Sequence, residues 1–197
     1  MSNEKKIINI LGQNNRYQMK KVTKVNEGKP IKKTNISLTW SFDKKYLLFD
    51  EQLKIIKNIS HCINNDNDDD NDNDNDVINK IKQQINKKIY SYKQQDIKKK
   101  NYDENNENYK DFIDFYVIID TMNKYDLKCH YCSQNMLVLY ENVRDSSQWT
   151  VDRINNDIGH IKNNFNLVCL KCNLKRRRQS DEKYLFTTQL SINKLQK

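Results

Sequence analysis

Apolar residues recur along this chain in two rhythms, and the rhythm changes at recognisable stops. Over 36–42, Ile-Ser-Leu-Thr-Trp-Ser-Phe alternates apolar and polar, the period of a short strand with one buried face. Asp43 suits a helix N-cap, and Tyr46, Leu47, Leu53, Ile56 and Ile59 form the stripe of a helix running to about Ser60. The segment 64–76 then contains only Asn and Asp, so it has nothing to bury and is predicted to be a disordered linker after a 36–63 strand-and-helix unit. It lacks the glycine and closing glutamate of a calcium-binding loop. Ile78, Ile81, Ile85, Ile89 and Tyr92 recur at helical spacing up to about Lys100. A further helix is predicted over 108–125, with Phe112, Phe115, Tyr116, Ile119 and Met122 as core residues rather than a surface for stacking bases. Together these make 77–126 a helical region. Strands are predicted at 136–140 and 148–153, then a polar loop containing Gly159, an extended stretch at 165–168 and a helix over 170–178. Residues 181–197 read as a tail, and 1–35, lysine-rich with two of the three glycines and the only proline, as a flexible basic arm.

Composition sharpens this picture in two ways. Hydrophobic residues make up 36% of 197, charged residues 31%, and the mean hydropathy is −1.00, so any core is modest and gains from a cross-link. Net charge is +9; setting aside the seven aspartates of 64–76 raises it to +16 for the remainder. Such a surface suits a polyanionic partner, nucleic acid above all. No run of about 18 apolar residues occurs, which argues against a membrane span. The first twelve residues lack a signal-peptide pattern, so an intracellular location, cytoplasm or nucleus, is expected. In that reducing setting, paired cysteines favour metal over disulfide.

Four of the five cysteines are paired in sequence: Cys129 and Cys132 in Cys-His-Tyr-Cys, Cys169 and Cys172 in Cys-Leu-Lys-Cys. Two knuckles of this spacing, thirty-six residues apart, converge four thiolates on one tetrahedral ion, and zinc is the usual occupant. A thioredoxin-like redox site would need a βαβ setting that this region lacks. Cys62 and His61 read as ordinary side chains, and His130 as a solvent-facing spacer. Between the knuckles lies Trp-Thr-Val-Asp-Arg-Ile-Asn-Asn-Asp-Ile-Gly-His, and Asn173 follows the last cysteine. Phosphodiester hydrolysis needs a hard cation, a base or positioned water, and cationic charge on the phosphorane. Asp152 and Asn173 offer hard oxygens; Arg153 and the run Lys175, Arg176, Arg177, Arg178 offer phosphate contacts.

The order Cys-x-x-Cys, Asp-Arg-Ile-Asn-Asn, Gly-His, Asn-Asn, Leu-Val-Cys-x-x-Cys-Asn-Leu-Lys-Arg resembles the HNH endonucleases over about 127–178. The resemblance implies an α+β fold: a small zinc-stapled ββα-metal core at 127–180, preceded by the amphipathic helices, the arm and the linker. It implies that Asp152 and Asn173 bind a catalytic Mg²⁺ or Mn²⁺, that Asn164 fixes the loop and orients the base, and that the four cysteines hold structural zinc. The implied activity is metal-dependent cutting of DNA. Where that family places its general-base histidine, this chain has Arg153, which stays protonated near pH 7. Arg153 would then grip phosphate, and His160 or a metal-bound water would act as base. A strand also sends Asp152 and Arg153 to opposite faces unless it ends there. The alternative is a non-catalytic zinc-binding module that holds nucleic acid or a protein partner.

Overall fold

A computed structural model describes residues 31–34, 37–65, 75–99 and 111–190. Contacts divide the chain into Met1–Lys32 and a unit, Lys33–Lys197, that holds every element described below. Nearly all of the predicted arm, most of the predicted linker and the end of the predicted tail lie outside the described residues.

Three helices come first: α1 (Phe49–Asn65), α2 (Asn75–Lys98) and α3 (Phe115–Lys124). Each is held by its apolar stripe. Ile55, Ile56 and Ile59 of α1, Val77, Ile81 and Ile85 of α2, and Ile118, Ile119 and Met122 of α3 are all buried. Fully burying such a side chain stabilises by roughly 1.5–3 kcal/mol, so these helices rest on packing rather than propensity. The strand predicted at 36–42 is absent: Ser37–Thr39 is a 3₁₀ turn. Asp43 does cap, but its carboxylate receives Lys45 N at 2.9 Å and starts a second 3₁₀ turn, Lys44–Leu47, before α1 begins. The helix predicted from 108 starts at Phe115, because Asp114 accepts Val117 N (2.8 Å) and caps it there. Residues 111–113 instead pair with 160–162, through Ile113 N to His160 O (3.0 Å) and Lys162 N to Asp111 O (2.8 Å). Tyr116, expected in the core, is exposed.

The sheet has two antiparallel strands, β1 (Trp149–Arg153) and β2 (Phe165–Cys169), in register Trp149↔Cys169 through Arg153↔Phe165. The segment 136–140, predicted as a strand, is bound differently. Gln52 of α1 donates to Leu139 O (3.0 Å) and accepts Val138 N (2.8 Å) and Leu139 N (3.0 Å), and only Leu137 bridges to Gln148. One fully buried amide side chain thus takes the place of a neighbouring strand. Helix α4 (Leu170–Arg176) follows β2 without a break and contacts both strands. It ends at Arg176, two residues before the predicted 178, and the capping residue Arg177 has a φ of 54°. A fifth helix, α5 (Asp181–Gln189), stands where a tail was expected. Ser180 at its N-cap position, followed by Asp181 and Glu182 in the first turn, is its start signal. Most of its side chains face solvent, so it leaves little apolar periodicity to detect.

All five positions of β1 are buried, because helices flank it. On the α4 side, Asn173 Nδ2 donates to Thr150 Oγ1 (3.0 Å) and Arg176 Nη1 to Asp152 Oδ1 (2.7 Å). On the α2 side, Tyr92 Oη accepts Val151 N (3.0 Å), and Lys88 Nζ donates to Trp149 O. The free edge of a two-stranded sheet would otherwise leave these backbone groups unpaired. The fold is therefore helical plus a small hairpin, with the hairpin clamped between α2 and α4.

Candidate metal centre and basic cleft

Two turns bring four sulfurs together. Asp126 and Leu127 leave α3 with φ of 48° and 52°, and Ser133 with φ of 55° closes the first knuckle. Left-handed backbone costs a non-glycine residue on the order of 1–2 kcal/mol. Cys129 N donates to Gln134 O and Ser133 N to Cys129 O, both at 2.9 Å, and His130 N to Leu167 O at 3.0 Å ties the knuckle to β2. At the second turn Cys169 stands at the N-cap of α4 and Cys172 is buried in the helix. The four sulfurs lie within 4.8 Å of one another, with Cys132 Sγ 3.8 Å from Cys169 Sγ. A tetrahedral ion with sulfurs at about 2.3 Å requires edges of about 3.8 Å, so the set fits structural zinc. Electrostatics point the same way. The Cys169 hydrogen bond, above all, pulls the Cys129 thiol down, while Cys169 and Cys172 are pushed up, Cys172 mainly by burial. One thiolate suppresses the others until a cation arrives. Tyr184 of α5 lines the groove beside these cysteines, and burial together with Cys172 pushes its hydroxyl up.

Asp152 lies on the α4 side of β1 and is already engaged. Its Oδ1 accepts Arg176 Nη1 at 2.7 Å. Its Oδ2 lies 2.9 Å from the Tyr131 hydroxyl, which is also 2.6 Å from Asp181 Oδ1. That hydroxyl has one proton for two carboxylates. Asn166 Nδ2 (2.9 Å) supports Asp181 as well. Burial raises the Asp152 carboxyl above its ordinary value, with Arg176 and Tyr131 opposing. Asn173 sits on the same side, but its Nδ2 faces β1, donating to Thr150 Oγ1 (3.0 Å) and Val151 O (3.3 Å). Asp152 and Asn173 are right in kind for a divalent cation and share one side of β1. As they stand they do not fit a resident ion, since both Asp152 oxygens have protein partners.

Arg153 points the other way, as strand alternation requires. Its Nη1 donates to Ile158 O (3.1 Å) and lies 3.8 Å from Asp96 Oδ1 on α2. His160 is buried against the same carboxylate. Its Nδ1 is 2.9 Å from both Asp96 oxygens, its backbone N donates to Oδ2 (2.7 Å), and its ring stacks on Tyr92 at 4.7 Å. Asn164 holds the 154–164 loop: its Oδ1 accepts Asn155 N (2.8 Å) and its Nδ2 donates to Asn155 O (2.9 Å) and Gly159 O (3.0 Å). Of the five residues proposed for chemistry, Asp152 and Asn173 thus lie at the contact of β1 with α4, Arg153 and His160 meet Asp96, and Asn164 fixes the loop between.

A cleft of about 830 Å³ opens at the end of the hairpin, lined by Lys99, Arg153, Arg176, Arg177 and Arg178 with loop residues 154–157. Arg176 is buried at its base, donating also to Arg153 O (2.6 Å) and Ile154 O (2.8 Å), while Arg177 and Arg178 are exposed. Lys175 lies elsewhere, in the groove beside Cys132 and Cys172.

Compared with known proteins, the chain matches no family model, no curated protein and no solved structure. Asp96, Tyr131, Asp181 and Lys88 were missed as site residues. Asp96 had a signal: it falls four residues after Tyr92, in phase with Ile81, Ile85 and Ile89, and so places a charge on a buried stripe. Among the described residues, no helix is long and apolar enough to cross a membrane.

Proposed function

We propose that this chain binds DNA through the arginine cleft and acts as an HNH-like, metal-dependent endonuclease on a ββα-metal core. The observation that carries the reading is that Asp152 and Asn173 share the α4 side of β1. A carboxylate and, one helical turn back on α4, the Asn173 carboxamide flank β1 directly beside a cleft of arginines. Strand, loop, strand and helix follow in that order, with the cysteine cluster stapling both knuckles. Arg177, Arg178 and Lys99 are exposed cations suited to DNA phosphates, the arginines bidentately. Arg153 and His160, tied to Asp96, hold the loop whose residues 154–157 form a wall of the cleft.

A second reading is a zinc-stapled nucleic-acid- or protein-binding module without catalysis. It is favoured by the Asp152–Arg176 pair, which neutralises the carboxylate within the chain. Supercoiled plasmid incubated with the purified protein and Mg²⁺ or Mn²⁺ separates the two. Nicking by the wild type, absent in Asp152→Ala with its zinc content unchanged, supports the endonuclease. DNA binding without nicking under either metal leaves the binding module.

A further inference from the structure

A second cavity, of about 440 Å³, lies away from the arginine cleft. Trp40, Tyr140, Val138 and Val143 give it apolar walls; Thr34, Gln84, Ser91, Lys87 and Lys88 give it polar atoms. Two features set it apart from an ordinary surface hollow. The Trp40 indole Nε1 is buried and has no hydrogen-bond partner among the described residues, a donor without an acceptor. Lys88 is the second. Its ammonium donates to Trp149 O and to Gln148 Oε1 (3.3 Å) and lies 4.7 Å from the Trp149 ring centroid and 5.3 Å from that of Tyr140. No carboxylate pairs with it among the described residues. Burial alone lowers its pKa to about 7. A buried cation without a counter-charge is held at a cost that an anionic ligand relieves.

An aromatic wall, an unpaired indole donor, amide and hydroxyl groups and two adjacent lysines match one ligand chemistry: a flat heterocycle carrying a phosphate. The volume lies within the range of small-ligand pockets. We infer that this cavity is a nucleotide-binding site, the base packing against Trp40 and Tyr140 and the phosphate meeting Lys87 and Lys88. The nucleotide is either free or a unit unstacked from a bound strand; both present the same groups. The site stands independently of cleavage, since it shares no lining residue with the arginine cleft.

The test uses the full chain loaded with zinc. Its tryptophan fluorescence is titrated with deoxynucleoside monophosphates, with inorganic phosphate, and with a single-stranded oligonucleotide carrying 2-aminopurine. Quenching by monophosphates supports a site for free nucleotides. Quenching by the oligonucleotide alone supports an unstacked unit of a strand. In either case Lys88→Met is expected to weaken binding about tenfold, the loss of one charge-assisted contact. Gln84→Ala, half-buried one turn before Lys88 on the cavity wall, serves as a second variant that leaves the lysine in place, with an expected loss of a few-fold. Inorganic phosphate binding as tightly as the nucleotides overturns the inference, and so does nucleotide affinity unchanged in both variants.

Discussion

The cysteine cluster and the Asp152 cluster are neighbours built on opposite principles. At the first, four sulfurs converge within 4.8 Å, and the charge of Cys129 opposes ionisation of Cys169 and Cys172. At the second, Asp152 and Asp181 also converge, but Arg176, Tyr131 and Asn166 supply charge and protons from within the chain. The first arrangement is incomplete without an ion, whereas in the second both Asp152 oxygens already have protein partners. A donor set alone therefore does not define a metal site; what already satisfies the donors decides.

The largest effect is expected where the cluster is open. Cys172→Ser, or removal of zinc by a strong chelator, should unfold the 127–190 region, since structural zinc contributes roughly 10–16 kcal/mol to folding. Metal analysis should find one zinc per chain, and thermal melts should collapse with its loss; a melt unchanged by chelation would break the comparison at its first term. At the closed cluster, Arg176→Met leaves Asp152 buried and unpaired and should cost about 3–5 kcal/mol. The double variant Asp152→Leu/Arg176→Met should recover most of that in denaturant unfolding. If Mg²⁺ stabilises Arg176→Met but not the wild type, the cluster is closed by that arginine alone.

Lys88 gives a smaller, pH-dependent effect. Its folded pKa, about 7, lies below the unfolded value of 10.5, so between those values the unfolded chain binds the extra proton. Stability should then rise with pH across that window, by up to about 1.4 kcal/mol per unit, and the difference between wild type and Lys88→Met should carry that slope. Smallest is the effect on folding of Arg177→Ala or Arg178→Ala, within about 0.5 kcal/mol. Each should lower the slope of log affinity for DNA against log salt by about 0.9.

What the sequence disclosed followed its periodicity and spacing. The α2 stripe and the convergence of Cys129, Cys132, Cys169 and Cys172 could be read directly, because each depends on local repeats. The strand predicted at 136–140 was not one, because its backbone partner is Gln52, eighty-six residues or more away, and an amide side chain has no pattern. Helix α5 escaped for want of an apolar face. His160 was noticed, but its partner Asp96 lies sixty-four residues upstream, outside the stretch that carried the resemblance.

Gln52 has one more consequence. Together with Lys88, Tyr92 and Asp96, it reaches from α1 and α2 into backbone and side chains of 137–160. The recognisable motif is thus not a cassette that can be lifted from its host. A fragment beginning at Leu127 would bare the Trp149 and Val151 backbone and leave His160 and Arg153 without the Asp96 carboxylate. It should be recovered as aggregate, even when all four cysteines are present and zinc is in excess.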